Sequence, residues 1–582
     1  MAQVNFPNYP KSAADMRLVS TRGWAGWSLF CHTMNHERRR RTTAKVKTRD
    51  RLILTVLVLV CLVPFFGKAF HIDDPLFVWT GKQIAHDPWN PYGFAVTWYA
   101  TPQPMFDVTK NPPLASYYIA GAGALFGWSE AGLHAAFLLP ALAAILATYS
   151  LASGLTRLPL LAAMATLAAP GFLVSSTSVM CDTMMAAFWV LAILCWRDGL
   201  ERKRPALLAV SGLLMAICAL TKYFGIALIP LLLVYSVLRQ RRVGSWLVYL
   251  LLPVAAMAGY ELWTKSIYGV GLLASAADYS VAGGSASPTK LLAGLYKALA
   301  GLSFAGGCAL PALTFAPVLW RRRFRVVGAI AAGLASCCWV WVHSYSMATH
   351  VTLALFIAGG FGAVALAVSD WRRNKDADSA LLLAWVLGTL VFASFVNWSV
   401  NARSVLPMIP AVGILLARRV EAMGGLAGRL PMAALALPLV LSGAVSLWVA
   451  CADATEANAA RTAARYVRDH FVTSGLQVSF AGHWGFQYYM QALGFKPVDF
   501  WEFTVERDGD VVVIPPNNSN VTPIPSQMVA SQETFAVPTK TGATTMSLVS
   551  GAGFYSDIWG PLPYAFGPVP SGVYTVVRLK RP

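Results

Sequence analysis

The sequence predicts a polytopic α-helical membrane protein of about 13 transmembrane helices with a small extracytoplasmic α/β domain at the C-terminal end. Of its 582 residues, 56% are hydrophobic and 13% are charged, and the mean hydropathy is +0.54. Soluble globular proteins carry about 25% charged residues, so a chain this apolar needs a bilayer as solvent for much of its surface. This composition excludes an ordinary soluble enzyme.

Thirteen apolar stretches are candidate spans, because each approaches the roughly 20 residues that cross a bilayer as a helix. They are residues 51–70, 131–153, 159–178, 181–196, 205–220, 222–238, 245–262, 295–318, 326–345, 350–369, 379–397, 403–418 and 430–450. The segment from Asn111 to Trp128 is apolar as well. A fourteenth span there would move the basic cluster Arg197 to Arg204 to the outer side, so we expect a juxtamembrane helix in the outer interface. A spanning helix is the alternative for this segment.

Basic clusters recur beside the apolar runs, and the chain has a formal net charge of +19. The clusters are Arg38 to Arg41, Arg197 to Arg204, Arg239 to Arg242, Arg321 to Arg325, Arg372 to Lys375 and Arg418 to Arg419. Short loops of this kind mark the cytoplasmic side, because Lys and Arg resist translocation. Nucleic-acid binding is disfavoured, because it needs the charge gathered on one soluble surface. We therefore expect a multi-pass membrane protein with a basic cytoplasmic tail at 1–50 and a membrane domain at 51–450.

A second domain is expected at 451–582, where acidic and basic residues are balanced and no further span occurs. Short β-rich runs at Val478 to Ala481, Val511 to Ile514 and Tyr574 to Leu579 predict strands, and Thr462 to Phe471 predicts a helix. The odd number of spans places this α/β domain on the periplasmic side.

Polar residues gather in the first outer loop, residues 71–129, which begins with His71, Ile72, Asp73 and Asp74. Two adjacent carboxylates repel each other, so at least one of them should have a raised pKa or a cationic partner. That arrangement suits a general base, and Asp73 is the candidate. The alternative is a solvated turn made rigid by Pro75.

Five segments carry a resemblance to a known family. They are Asp73-Asp74 with Phe77, Asn111 to Leu114 with Lys110 before it, Ser178 to Asp182, Leu220 to Tyr223, and Arg403 followed by Leu406-Pro407 and Pro410. Over about residues 50 to 420 the chain resembles the bacterial relatives of protein O-mannosyltransferases and lipid A aminoarabinose transferases, membrane glycosyltransferases of the GT-C fold. It departs from them at Asp74, where the family usually has Glu, and at Asn111, where Lys or His often precedes the two prolines.

The resemblance implies transfer of a sugar from a polyprenyl-phosphate-linked donor to a hydroxyl of a lipid, glycan or protein acceptor at the outer face of the membrane. Asp73 and Asp74 would then be catalytic. The residues expected to bind the donor phosphate are Lys110, Lys222 and Arg403. The residues expected to bind substrate are Asp182, Tyr117, His483, Trp484 and Gln487. The last three lie in the C-terminal domain, and their aromatic neighbours are equally typical of a protein core.

No cofactor is expected, because the chain has no phosphate loop and no dinucleotide-binding glycine motif. A divalent metal is not favoured either, although Asp73, Asp74 and Asp182 could converge on one. Two other functions stay open at this stage: a transporter or flippase of lipid-linked saccharide, and a non-catalytic envelope assembly protein. A transporter would place ionisable groups near the middle of its spans, whereas here they cluster in outer loops. Structural roles are the alternatives for two of the cations. Lys222 could extend its ammonium to the membrane surface without binding a ligand. Arg403 could belong to a structural hydrogen-bond network with Asn397 and Asn401.

Overall fold

The computed structural model describes residues 46–282, 290–340, 345–424, 431–471, 477–505, 507–519, 521–569 and 571–581. Most of the predicted cytoplasmic tail, residues 1–45, lies outside them. The chain divides into two units, Met1–Val56 and Leu57–Pro582. In the first unit, residues 46–56 are helical. All contacts given below belong to the second unit.

The second unit is predominantly helical from its start to residue 471, and it also contains a short β pair, Ala95–Val96 with Gln103–Pro104. Its α-helices, after the one that ends at residue 62, are Asp74–His86, Met105–Val108, Leu114–Phe126, Glu130–Ala152, Pro159–Leu167, Pro170–Ser176, Cys181–Glu201, Pro205–Thr221, Leu228–Gln240, Leu251–Tyr268, Leu272–Ala282, Lys290–Cys308, Pro311–Thr314, Ala316–Leu319, Arg322–Val340, Met347–Asn374, Ala377–Val391, Ala402–Val405, Ile409–Ala422, Met432–Phe471 and Trp484–Ala492. Short 3-10 or π turns precede or extend several of them.

Seven helices of the described residues are long and apolar enough to cross a membrane, or eight if one bent pair forms a single span. The seven are Glu130–Ala152, Cys181–Glu201, Tyr223–Gln240, Ser245–Tyr268, Met347–Asn374, Ala377–Val396 and Met432–Phe471, with short 3-10 or π turns counted into their helices. The polytopic helical architecture is therefore confirmed. The total of thirteen spans stays a prediction.

Three of the predicted spans are interrupted, and each interruption has a proline beside it. The span predicted at 159–178 is two helices bent by 62°, with Pro170 at the start of the second. The helix within 295–318 ends at Cys308, shortly before Pro311. The span at 403–418 begins with a short helix and a 3-10 turn that contains Pro407. Proline lacks an N–H and clashes with the preceding turn, so a continuous apolar run does not ensure a continuous helix.

The disputed segment Asn111 to Trp128 contains the helix Leu114–Phe126 of 13 residues. At 1.5 Å per residue it is about 20 Å long, shorter than the roughly 30 Å hydrocarbon core. It packs against the helix Asp74–His86. At Gly81 an added Cβ would lie 2.8 Å from Ile119 Cγ2, so glycine permits this close approach. Its length favours a helix that does not span alone.

The C-terminal region is joined to the membrane part by one continuous helix, Met432–Phe471, of 40 residues. The predicted domain boundary at residue 451 falls inside this helix, which includes the predicted helix Thr462 to Phe471. The helix then packs its Val467 and Phe471 into the core of the C-terminal domain. The apolar part of the chain and the soluble-type domain therefore share one rigid element.

The C-terminal domain contains a five-stranded mixed sheet. Its order is Lys496–Pro497, Val478–Phe480, Val511–Ile514, Gly572–Leu579 and Val529–Val537. The first three strands are parallel, and the last two join them antiparallel. The three predicted strands are confirmed, with the last beginning at Gly572. The strand Val529–Val537 was not predicted, because six of its nine residues are exposed and the polar run Ser-Gln-Glu-Thr occupies its middle.

Candidate active site

The first outer loop turns sharply at Ile72, whose φ of +47° lies in the left-handed region. This conformation costs a β-branched residue on the order of 1–3 kcal/mol, and such strain clusters at functional sites. The helix Asp74–His86 starts directly afterwards with Pro75 in its first turn. Asp73 occupies the N-cap position, yet its side chain makes no capping hydrogen bond. Its carboxylate is therefore available for another partner.

That partner is Arg403, whose Nη1 lies 2.8 Å from Asp73 Oδ2. The Asp73 side chain is 26% exposed and that of Arg403 is 16% exposed, so the pair is partly buried. The guanidinium also lies 5.5 Å from the ring centre of Tyr555. Asn401 caps the short helix that carries Arg403 by accepting the N–H of Ser404. The asparagine network thus shapes the turn, and the arginine side chain projects to Asp73.

Asp74 has a different environment from its neighbour. It is fully buried, and its two oxygens accept the backbone N–H groups of His71 and Val179, each at 2.8 Å. Burial raises the pKa of Asp74 to about 7. The catalytic role predicted for Asp74 is therefore not supported by its geometry, because the carboxylate joins two backbone segments and does not face solvent. Asp73 therefore has the cationic partner, and Asp74 has the pKa that is raised by burial.

A second ion pair lies at the ends of two long helices. Lys222 Nζ donates to Asp182 Oδ1 at 2.5 Å, with side chains 20% and 2% exposed. Asp182 is in the first turn of Cys181–Glu201, and Lys222 is the C-cap of Pro205–Thr221. The Lys222 ammonium is therefore bound by a carboxylate, whereas a lysine that only reaches the membrane surface needs no such partner. Cys181, next to Asp182, donates to Asn111 Oδ1 at 3.8 Å.

Lys110 lies in the same loop as Asn111. Its Nζ donates to Ser275 Oγ at 3.2 Å and lies 5.8 Å from the ring centre of Tyr279. Partial burial lowers the pKa of Lys110. Tyr117 is placed differently from the expectation, because its hydroxyl donates to the carbonyl of Pro88 at 2.5 Å. It stabilises the outer loop and makes no described contact with the charged pairs.

The predicted substrate residues of the C-terminal domain have mostly structural contacts. His483 is buried, its ring lies 4.9 Å from that of Trp98, and its Nε2 is 3.1 Å from Ser519 Oγ. Gln487 is fully buried and donates from Nε2 to the carbonyl of Thr97 at 3.1 Å. These two side chains therefore bind the first outer loop to the C-terminal domain, and burial leaves them no surface for an acceptor. Trp484 differs, because it lines a cavity.

Three functional candidates were missed in the sequence. Lys68 and Asp453 form a fully buried ion pair, and Tyr555 donates to Asp453 at 3.0 Å while its ring faces Arg403. A Lys at the end of the first apolar run and an Asp after a late apolar run were available signals, since ionisable residues beside spans are usually paired. Tyr555 had no such signal, because only the fold brings it to this place.

The predicted acidic trio for a metal does not converge, because Asp73 pairs with Arg403 and Asp182 with Lys222. Another group with suitable ligand atoms occurs among the described residues: His71, Asp453 and Glu456, all within 4.8 Å of one another. The Lys68 ammonium lies 2.5 Å from Asp453, and its charge opposes a bound cation there. The donor set therefore does not fit a resident metal.

The charged pairs and the basic clusters lie at opposite ends of the same helices. In Cys181–Glu201, Asp182 belongs to the first turn, and Arg197 near the other end binds Asp378 and Glu201. Fifteen residues of α-helix separate the two by about 22 Å. The pairs Asp73–Arg403 and Asp182–Lys222 form one charged site, because Arg403 interacts electrostatically with both carboxylates. The basic residues around Arg197 form another network about one helix length away.

Residues 110–262 match the model of a family described as dolichyl-phosphate-mannose-protein mannosyltransferase. This match confirms the resemblance inferred from the sequence for that segment, about a quarter of the chain. The segment contains Lys110 and the Asp182–Lys222 ion pair. No curated protein sequence matches the chain.

Solved structures of membrane glycosyltransferases are similar to the chain. ArnT from Cupriavidus metallidurans in the apo state is 16% identical with a TM-score of 0.47, covering 82% of this chain and 93% of that one. The Archaeoglobus fulgidus oligosaccharyltransferase in complex with Zn and sulfate is 13% identical with a TM-score of 0.47, covering 80% and 68%. The arabinosyltransferase EmbB from Mycobacterium smegmatis is 14% identical with a TM-score of 0.32, covering 85% and 47%.

Proposed function

We propose that the protein is an inverting glycosyltransferase of a bacterial inner membrane. It moves a sugar from a polyprenyl-phosphate-linked donor to a hydroxyl of a lipid, glycan or protein acceptor on the periplasmic face. The observation that carries the proposal is the Asp73–Arg403 ion pair. The partly exposed carboxylate of Asp73, at the start of the first outer loop, lies 2.8 Å from the guanidinium of Arg403. The family match over residues 110–262 supports the reaction class.

Asp73 acts as the general base. A hydroxyl is a poor nucleophile, and removal of its proton during attack on the anomeric carbon is worth about 10² to 10⁴ in rate. As the new C–O bond forms, the bond between the anomeric carbon and the phosphate oxygen breaks, and the polyprenyl phosphate leaves with the electron pair. Attack from the face opposite the leaving group inverts the anomeric centre.

The cations of the site stabilise the phosphate as its charge develops. Arg403 and Lys222 lie beside the two carboxylates Asp73 and Asp182, and Lys110 is a third cation in the same outer loop as Asp73. Preorganised cations in a partly buried site stabilise a developing anion more strongly than water does. Lys110 differs from the other two cations, because its described hydrogen bond is to the hydroxyl of Ser275 and not to a carboxylate.

The periplasmic placement is supported by the distance between the Asp182–Lys222 pair and the basic residues around Arg197, which lie at opposite ends of the helix Cys181–Glu201. Basic residues near helix ends favour the cytoplasmic side. The Asp182 end of Cys181–Glu201 lies opposite the Arg197 end, and this separation supports an outer position for the charged site.

The test is release of polyprenyl phosphate by purified full-length protein from a panel of polyprenyl-phosphate sugars, with a panel of hydroxyl acceptors. Asp73→Asn should lower turnover by about 10² to 10⁴. The matched control is Asp87→Asn, a partly exposed carboxylate of the same loop whose described contact is the backbone N–H of Trp89. Equal turnover of wild type and Asp73→Asn would refute the assignment of the base. Translocation of an intact lipid-linked saccharide without release would instead favour a flippase.

A further inference from the structure

A small notch lies at the ends of the helices Met347–Asn374 and Ile409–Ala422, at the end of the second helix that points away from Arg403. Three arginines and one aspartate line it: Arg373, Arg418, Arg419 and Asp370. The aspartate is already paired, because Arg418 Nε lies 3.0 Å from its Oδ1. The notch therefore has two arginines beyond its ion pair.

These two arginines, Arg373 and Arg419, have no carboxylate partner among the described residues. Arg373 is exposed. Arg419 donates from Nη2 to the carbonyl of Leu319 at 3.4 Å, and its guanidinium lies 5.0 Å from the ring centre of Trp320. The two guanidinium groups repel each other. A phosphate beside both would offset this repulsion, and arginine is the residue best suited to bind it.

The size of the notch limits the kind of ligand. Its volume is about 10 Å³, which is the space needed for about one water-sized group. A single phosphate oxygen therefore fits inside, and the rest of the anion remains outside, beside the exposed Arg373. A ligand that must be enclosed, such as a nucleotide, does not fit.

A second basic segment lies beside the notch. Arg419 contacts Leu319 and Trp320, which directly precede the run Arg321 to Arg325. All four arginines of this run are exposed. Tryptophan and arginine together are typical of the level at which lipid headgroups lie.

The helix that follows, Arg322–Val340, has an exposed apolar face. Phe324, Val327, Ile330 and Leu334 are each 56% to 65% exposed, and their spacing of three or four residues puts them on one side of the helix. In a chain that needs a bilayer as solvent, such a face contacts lipid chains. The arginines therefore lie at the end of a lipid-facing surface.

We propose that an anionic phospholipid binds at this place, with its phosphate at Arg373 and Arg419 and its acyl chains along the exposed face of Arg322–Val340. Free phosphate has the same charge, but it makes no use of the apolar face that begins beside the arginines. The site is separate from the Asp73–Arg403 pair, and binding to it does not require sugar transfer.

The test is native mass spectrometry of the full-length protein in detergent, titrated with dioleoyl phosphatidylglycerol or dioleoyl phosphatidylcholine. We expect the anionic lipid to bind about 20-fold more tightly, because each cation near the phosphate is worth about fivefold. Inorganic phosphate and glycerol 1-phosphate, which have no acyl chains, should not displace the anionic lipid even in large excess. Displacement by either would show that the ligand is free phosphate and would overturn the assignment to a lipid.

Variants locate the binding at the notch. Arg373→Gln with Arg419→Gln should abolish the preference for the anionic lipid, and Arg373→Gln alone should reduce it about fivefold. The single variant changes only an exposed side chain, so it keeps the test valid if the double variant does not fold. Replacement of both arginines by lysine should retain most of the preference, because the charge remains.

The matched control is Arg241→Gln with Arg242→Gln, which removes the same charge from another exposed basic pair at a helix end. It should leave the preference for the anionic lipid unchanged. Equal binding of the two lipids by wild type, an unchanged preference in Arg373→Gln, or an equal loss in the control would each overturn the inference.

Discussion

The buried ion pair between Lys68 and Asp453 should be among the strongest single-site contributions to stability. Both side chains are 0% exposed, with Nζ 2.5 Å from Oδ2. Lys68 also donates to Thr177 Oγ1 at 3.2 Å. Asp453 also accepts from the hydroxyls of Tyr555 and Thr545. The pair thus joins the loop that follows the first helix to the long helix Met432–Phe471.

We expect Lys68→Met to lower the free energy of unfolding by about 3–5 kcal/mol, because it leaves the Asp453 carboxylate buried without its cation. The two hydroxyl donors that remain compensate only part of this charge. Asp453→Leu should cost a similar amount for the Lys68 ammonium, which would keep only Thr177 as a partner. In the double variant neither charge is buried, so its cost should be smaller than the sum of the single costs by about 1–3 kcal/mol.

The assay is denaturant unfolding of the purified protein in detergent for wild type, both single variants and the double variant. Arg578→Met is the control, because its 3.4 Å pair with Glu533 is solvent-exposed and should be worth about 0–1 kcal/mol. A cost of Lys68→Met no larger than that of the control would contradict the assignment. Strict additivity in the double variant would show that the two side chains do not interact.

Three further predictions concern the contacts that hold the C-terminal domain to the charged site. Gly485→Ala should destabilise the protein by about 1–3 kcal/mol, measured by the same unfolding assay, because the new Cβ would lie 2.2 Å from the carbonyl oxygen of Phe70. Burial lowers the pKa of His483 to about 3 from 6.5; its contribution is present above pH 6.5 and is lost as the pH falls towards 3, so His483→Gln should flatten the acid loss of stability in that range. Tyr555→Leu should raise the KM for the donor more than Tyr555→Phe, because only leucine removes the ring that faces Arg403.

Each of these predictions has a direct check. Gly443→Ala is the control for the glycine substitution, since the nearest atom to its new Cβ is 3.9 Å away. A parallel pH dependence of wild type and His483→Gln would show that this histidine is not buried in the neutral form. Equal donor KM values for the two Tyr555 variants would show that the ring does not position the arginine.

Local sequence patterns predicted much of the architecture. The apolar runs predicted helices because the length and periodicity of a run are local properties of the sequence. The strand at Val511 was recognised because it is a short run of β-branched residues, Val-Val-Val-Ile. The breaks at Pro170, Pro311 and Pro407 were missed because the apolar runs continue through them. The exposed strand Val529–Val537 was missed because its partner, Gly572–Leu579, is distant in sequence.

The charged site was predicted only in part, and the adjacent carboxylates show why. The residue type alone does not show which of Asp73 and Asp74 is buried, since both are aspartates in one short turn. The tertiary structure exposes one to Arg403 and encloses the other between two backbone N–H groups. The expected acceptor residues His483 and Gln487 have side chains that could bind a sugar, but packing against the outer loop uses them.

The amino-acid sequence by itself determined the membrane class, the helical segments and the residue types at the charged site, because hydropathy and local charge act over a few turns of chain. Only the tertiary structure decided which charges are paired, which carboxylate is buried, and that Tyr555 and His71 stand beside the site. Those outcomes depend on contacts between segments hundreds of residues apart, such as Lys68 with Asp453 and Asp73 with Arg403. The geometry of such contacts is set by packing of the whole chain, so no local pattern records it.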